Sequence, residues 1–380
     1  MKTNKERLGI YIHIPFCKSK CIYCDFVSVT NQSLTDKYFD YLLKEIEMYK
    51  EVLNQFKVVT IYFGGGTPSL VDALYIEKVV NKIKEYTDLN DILEFTIEVN
   101  PGTLNREKLE VYKKVGINRI SIGLQSTNNN TLKMLGRIHD YDEFLDSYNL
   151  IREVGFNNVS VDLMFGLPGQ TVEMFESSID KVIKLNPEHI SAYSLKVEES
   201  TKLYKLIKKG VLEEPNEEID RVMYELLIDK LSENKYNLYE ISNFSKNEFE
   251  SKHNMIYWER ENYLGLGLAA HGFIDNKRYG NVISFNEYFN IIDNEIKPVE
   301  ETSVISEEEC LFEEVMLGLR LSKGINYKKL NEKYNIDFIK DHNQEVIELL
   351  EEKMIEMNNE SIWITKKGMS VSNAIITKII

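Results

Sequence analysis

Three of the chain's four cysteines, Cys17, Cys21 and Cys24, fall within eight residues, while Cys310 lies far downstream. Thiolates are soft ligands that suit zinc and iron–sulfur clusters. A disulfide framework would spread its cysteines along the chain, so the clustering points to metal. A closed structural zinc site takes four protein ligands, and the fourth would have to be His13 or Asp25. A four-iron cube held by three cysteines instead leaves one iron open to an external bidentate ligand, such as an amino group and a carboxylate on one carbon. The open cube is the expected arrangement.

Further residues of chemical interest sit where strands are expected to end. Gly64-Gly65-Gly66-Thr67-Pro68 would let backbone amides approach a ligand closely. It lacks the Lys-Ser/Thr of a phosphate loop, and a tight turn is its plainer explanation. Glu98, in Glu98-Val99-Asn100-Pro101, can accept hydrogen bonds from ribose hydroxyls or make a surface ion pair. Asp162 lies between Val161 and Leu163, where a carboxylate is costly unless bonded or paired. Arg137 could clamp a carboxylate or pair with Asp162, and Gln125 follows another expected strand. Gly265-Leu266-Gly267-Leu268-Ala269-Ala270 mimics a dinucleotide fingerprint but lacks the strand–helix–strand context. Cys310, beside the stripe Leu311, Val315 and Leu319, reads as a buried small hydrophobe.

The elements that must position these residues alternate. Short β-branched runs at Gly9–Ile14, Val58–Phe63, Glu94–Val99, Arg119–Leu124, Val159–Phe165 and His189–Leu195 predict strands. Between them Thr35–Leu53, Val71–Tyr86, Arg106–Val115, Tyr141–Val154 and Thr171–Leu185 carry apolar stripes at helical spacing. Six such units predict an α/β architecture, a partial (β/α)6 barrel over residues 1–200 with its chemistry at the C-terminal strand ends. From 201 to 300 the alternation stops: a helix is expected over Asn216–Glu233 and strands at Tyr236–Ser242 and Tyr279–Phe285. Residues 301–380 predict a small, mainly helical, winged-helix-like domain: a helix over Glu307–Leu321, short helices after Asn326 and near Asp337–Lys353, and a hairpin around Met354–Thr365.

With 380 residues, 43% of them hydrophobic, the chain can bury a large core. Its net charge of −15 disfavours nucleic-acid backbones as partners. No apolar run is long enough to span a membrane and the N-terminus lacks a signal-peptide pattern, so a cytoplasmic protein is expected.

The segment Tyr11-Ile12-His13-Ile14-Pro15-Phe16-Cys17-Lys18-Ser19-Lys20-Cys21-Ile22-Tyr23-Cys24-Asp25-Phe26 closely resembles the radical SAM superfamily, and the likeness extends over nearly the whole chain. The resemblance implies a radical SAM barrel with a [4Fe–4S] cluster on Cys17, Cys21 and Cys24 that binds S-adenosylmethionine (SAM). In that superfamily the reduced cluster cleaves SAM to methionine and a 5′-deoxyadenosyl radical. It further implies SAM contacts by Gly65, Gly66 and Thr67, with Glu98 on the ribose and Tyr11 and Tyr23 lining the cavity. Gln125, Arg137 and Asp162 are implied to lie beside a second SAM or a substrate carboxylate.

Within the superfamily the chain is similar to the branch of oxygen-independent coproporphyrinogen III oxidase and its haem-chaperone paralogues, the HemW group. The oxidase carries another cysteine where Phe26 stands, and a long extension where only 16 residues precede Cys17. Both departures favour the haem chaperone and make oxidase turnover unexpected. His253-Asn254-Met255-Ile256-Tyr257-Trp258 matches the chaperone group's His-Asn-x-x-Tyr-Trp signature. His253 is therefore a candidate haem ligand, with Tyr257 and Trp258 against the porphyrin; a hydrogen-bonded core histidine is the plainer alternative. His13, His139, His189, His271 and His342 read as structural, with His271 also placed to line a cavity. The implied partners are haem as cargo and apo-haemoproteins that receive it, with recipients at the membrane face and a homodimer both compatible. A radical SAM enzyme acting on tRNA is disfavoured by the acidic balance.

Overall fold

The computed structural model describes residues 5–380. Six parallel strands run in chain order: β1 (Arg7–Ile14), β2 (Lys57–Gly65), β3 (Glu94–Val99), β4 (Arg119–Gln125), β5 (Val159–Phe165) and β6 (His189–Ser194). The helices Thr35–Met48, Ala73–Lys84, Arg106–Val115, Tyr141–Val154 and Val172–Leu185 connect them. Local chemistry sets their ends. Asp140 and Glu143 form a reciprocal capping box, Asn105 and Thr171 cap by side-chain acceptance, and Gly116 and Gly155 close their helices in the left-handed conformation.

Strand periodicity sorts the side chains into two sets. Ile12, Phe63, Ile97, Ile122 and Leu163 pack with the helix residues Ile76, Leu109, Tyr148 and Phe175 in one continuous core. The alternate positions face inward and are polar: Thr60 and Tyr62 on β2, Glu94, Thr96 and Glu98 on β3, Arg119 and Ser121 on β4, Ser160 and Asp162 on β5, His189 and Ser191 on β6. The barrel thus has an apolar outside wrapped by helices and a polar lumen.

Beyond β6 the sheet widens at both edges. The strands β7 (Asn237–Glu240) and β8 (Asn243–Ser245) add to β6, with β8 antiparallel to it. On the other side β9 (Tyr263–Leu266) runs parallel to β1, followed by antiparallel β10 (His271–Ile274), β11 (Lys277–Asn281) and β12 (Val299–Val304). The strand expected at Tyr279–Phe285 is therefore corrected. It ends at Asn281, and Phe285–Asp293 is a helix whose Tyr288, Phe289 and Ile292 are buried at helical spacing. Gly265 and Leu266 belong to β9 and form no nucleotide fingerprint. The C-terminal part has a helix Glu307–Gly318, short helices Tyr327–Tyr334 and Asn343–Glu351, and a three-stranded antiparallel sheet of Ile325–Asn326, Ile355–Met357 and Ser361–Ile364.

The lower end of the barrel is closed by the helix Lys252–Trp258. Gly9 on β1 makes room for it: a Cβ there would stand 2.9 Å from Ile256 Cδ1. The buried Glu94 carboxylate holds its first turn. It accepts from Ser251 Oγ (3.2 Å), Lys252 N (2.9 Å) and His253 N (3.1 Å), and faces the buried guanidinium of Arg119 at 3.9 Å. Removing one partner of such a pair strands the other charge out of water. Glu94→Ala is expected to lower unfolding stability by about 3 kcal/mol or more, read from urea denaturation.

Candidate functional site

The cysteine loop leaves the C-terminal end of β1 and is fastened at three points. Cys17 N donates to Val29 O at 2.9 Å and Val29 N returns to Pro15 O at 2.8 Å, closing the loop's base. Its far side is tied by Ile22, whose N donates to Leu135 O and whose O accepts from Leu203 N at 2.7 Å. The Ile22 side chain sits in a satellite cluster with Leu135, Met164, Leu167, Leu195 and Leu203. All three thiols are free and line one cavity of about 410 Å³.

Strand ends bring the remaining residues there. Gly65, Gly66, Thr67, Glu98, Gln125, Arg137, Asp162 and Tyr23 all line the cavity. Gly65 has φ +109°, and a Cβ would enter the His13 ring at 2.5 Å, so only glycine fits. Thr67 Oγ1 lies 3.7 Å from Cys17 Sγ and also accepts from Asn100 Nδ2 at 2.8 Å. Gln125 adopts φ +70° where β4 slips register against β5, a strained backbone that turns the chain at the cavity wall. Arg137 reaches Asn100 Oδ1 (2.6 Å) and Gly123 O (2.7 Å), with Nη1 3.8 Å from Cys21 Sγ. It makes no pair with Asp162, which accepts instead from Ser121 (3.1 Å) and Ser160 (3.3 Å).

Electrostatics follow from burial. Glu98 accepts from Tyr62 hydroxyl at 2.8 Å and Gly65 N at 3.2 Å, yet burial, with Asp162 nearby, pushes it up to about 7. Burial likewise raises Asp162. The Cys24 thiol is pushed up to about 11, first by burial and then by the like charges of Cys21 and Cys17. A thiolate there calls for positive charge beside it, which the irons of a cluster would supply.

Among the described residues no three His, Cys, Asp or Glu side chains close round a single ion. Zinc at ~2.3 Å from each sulfur would draw the thiols together, whereas a cube takes one thiolate per iron and holds them apart. Neither expected fourth zinc ligand is placed for it. His13 is engaged with Val27 O (2.8 Å) and Tyr11 hydroxyl (3.1 Å), and Asp25 lines the cavity without closing round a single ion with the thiols. The three thiols fit an open cluster.

Three expectations are corrected. His253 is 1% exposed, with Nδ1 2.8 Å from Thr60 Oγ1 and Nε2 2.7 Å from Tyr257 hydroxyl, so neither nitrogen is free for iron. Burial, with Arg119 nearby, lowers its pKa to about 3. His271 is exposed on β10 and lines no part of the cavity. Tyr11 also stands back from the lining, its ring 6.2 Å from that of Tyr62. His139 and His189 are buried and hydrogen-bonded, and His342 packs on Phe338. Cys310 is buried, as expected, with Arg260 Nη2 at 2.9 Å.

Residues 11–182 match the family model "Radical SAM superfamily" and residues 305–371 the "HemN C-terminal domain". Over 97% of its length the chain is 38% identical to "Heme chaperone HemW" of Lactococcus lactis, covering 96% of that protein. It is 38% identical to the protein of the same name from Bacillus subtilis, over 96% of this chain and 97% of that one. The chain belongs to the HemW family of radical SAM proteins. The solved coproporphyrinogen III oxidase (HemN) from Escherichia coli superposes with a TM-score of 0.87 at 22% identity, over 100% of this chain and 91% of that one, and so shares its fold.

In this HemW-family chain, Asn254 of the signature lines the cavity, and so do Tyr62, Asn100, Arg119, Ser121 and Tyr193, which were not singled out by sequence reasoning. Most could have been found from the alternation itself, since they are the polar members of otherwise apolar strands.

Two outcomes test the site. Cys21→Ser is expected to abolish the visible absorbance of the anaerobically reconstituted cluster, because an alkoxide is a poor iron ligand. The second concerns Glu98, which together with Glu45 and Glu240 is pushed by burial up to about 7. Unfolded carboxyls titrate near ~4.3. Between these values the native state keeps protons that the unfolded chain has released, so stability of the cofactor-free chain falls as pH rises through that window. Glu98→Gln should make the decline shallower in thermal melts from about pH 5 to pH 8; an unaltered slope would refute a buried, protonated Glu98.

Proposed function

We propose that this chain is a haem chaperone that binds haem and delivers it to apo-haemoproteins, carrying a [4Fe–4S] cluster on Cys17, Cys21 and Cys24 with SAM beside it. One observation carries the reading: three free thiols share a single cavity with Gly65, Thr67, Glu98, Gln125 and Asp162 at the C-terminal ends of parallel strands. When bound, the cluster supplies an open iron for the amino and carboxylate groups of SAM and an electron for its chemistry. The protein's own part is positional. The Gly65–Thr67 backbone accommodates the amino group, and Glu98 offers its remaining lone pairs to ribose hydroxyls. The Arg137 guanidinium, held by Asn100 and Gly123, stands beside the Cys21 sulfur.

The relatives' printed name supports haem as cargo. Phe26, 61% exposed, and Tyr193, 43% exposed, line the cavity and give an aromatic surface on which a porphyrin face can lie. Lys20 and Lys196 line it too and can meet propionates. Phe26 stands where the oxidase is expected to carry its additional cysteine, which supports transfer over decarboxylation. No helix among the described residues is long and apolar enough to cross a membrane.

Anaerobic reconstitution followed by two assays separates chaperone from oxidase. Haem titration is expected to give a stable Soret band. Coproporphyrinogen III with SAM and reductant is expected to give no protoporphyrinogen; turnover would overturn the reading.

A further inference from the structure

The His253–Trp258 segment, assigned to haem by resemblance, spends its contacts on the barrel lumen instead. Glu94 takes the Lys252 and His253 amides, fixing the helix by its first turn. The His253 ring, hydrogen-bonded at both nitrogens, stacks on Tyr62 with centroids 5.0 Å apart and planes 26° apart. Tyr62 hydroxyl donates to Glu98 Oε1 at 2.8 Å, and Glu98 Oε2 accepts from Gly65 N at 3.2 Å. A continuous set of contacts therefore runs from the closed end of the barrel through His253 and Tyr62 to the glycine loop beside the cluster cysteines. One residue on, Asn254 is the member of the segment that lines the cavity; Trp258, at the helix's other end, does not.

We infer that the His253–Trp258 segment is part of the SAM-pocket wall. His253 and Glu94 are positioning residues that hold Tyr62, and through it Glu98, while Asn254 is the segment's direct contact with the occupant. This rests on the reading of the cavity as a SAM pocket. A ring that is 1% exposed with both nitrogens occupied cannot bind haem iron without dismantling the helix that Glu94 holds. Loss of the ring instead frees the Tyr62 phenol to tilt away from Glu98. A hydrogen bond to a carboxylate is then weakened at the point where ribose hydroxyls are to be read.

The experiment compares the reconstituted full-length chain with four variants, measuring SAM affinity by equilibrium dialysis and haem ligation by the Soret maximum. His253→Ala and Tyr62→Phe are each expected to weaken SAM about tenfold, with their combination less than additive because they break one chain of contacts. His253→Phe keeps a ring against Tyr62 but cannot ligate iron; it is expected to recover part of the SAM affinity with the Soret maximum unmoved. A displaced Soret maximum in His253→Phe, or SAM affinity at the wild-type level in Tyr62→Phe, overturns the inference. These two variants decide the matter even if His253→Ala fails to fold. Failure of the underlying reading is distinct: the unsubstituted chain would then bind no SAM at all.

Discussion

A barrel whose lumen is polar must satisfy every buried group it carries, and this constraint organises the rest of the molecule. The six strands put isoleucine, valine and phenylalanine outward and threonine, serine, tyrosine and charged residues inward. Burial without partners would cost ~1–3 kcal/mol for each neutral group and more for each charge. The solution is a network closed from below. Glu94 gathers Thr96 Oγ1, Ser251 Oγ, two backbone amides and the Arg119 charge, so a single carboxylate joins β3, β4 and the helix Lys252–Trp258. His189 does the same on the far side, joining Ser160 on β5 to Tyr239 on β7. With the bottom sealed, only the upper lumen remains open, and the cysteine loop lies across it.

That loop could not hold three sulfurs in fixed positions by its own chemistry. It has little regular structure, and its residues Lys18 to Lys20 are exposed. Its order comes from tertiary ties: Val29 to Cys17 at the base, and Ile22 to Leu135 and Leu203 at the tip. Those ties make the helix Asn129–Leu135, in the β4–β5 connection, and the helix Lys202–Lys208, after β6, part of the cysteine loop's support. The Cys24 thiol, raised first by burial, is costly to hold as a thiolate, a cost that metal charge would offset.

Much of this could be read from sequence, because the signals were local and repeated. The six strands and the helices between them follow from period-2 and period-3.6 patterns, and the cysteine spacing marks the loop whose thiols the cavity brings together. What could not be read is pairing at long range. β9 is four residues long, contains Gly265, and pairs with β1 some 250 residues away, so nothing local marks it as sheet. The strand expected to reach Phe285 stops at Asn281 because Tyr288, Phe289 and Ile292 find a better burial as a helix against Tyr38 and Tyr41. His253 shows the same limit in the site. Its neighbours in sequence suggest a ligand, but its neighbours in space, Thr60, Tyr62 and Tyr257, leave it no free nitrogen.

The lumen's charge arrangement would suit the zwitterionic, hydroxyl-rich ligand proposed for it. Glu98 and Asp162 are raised by burial, and Arg119 and Arg137 each have a buried Nε without a partner. Acceptors and donors thus stand on the same wall, each imperfectly matched by the protein's own groups. Water screens them only weakly in a confined space of low effective dielectric. A ligand bearing a carboxylate, an amino group and ribose hydroxyls complements both signs at once. The strained Gln125 backbone at the cavity wall fits the same logic: such strain persists only where the surrounding structure over-determines it, and it clusters at ligand sites.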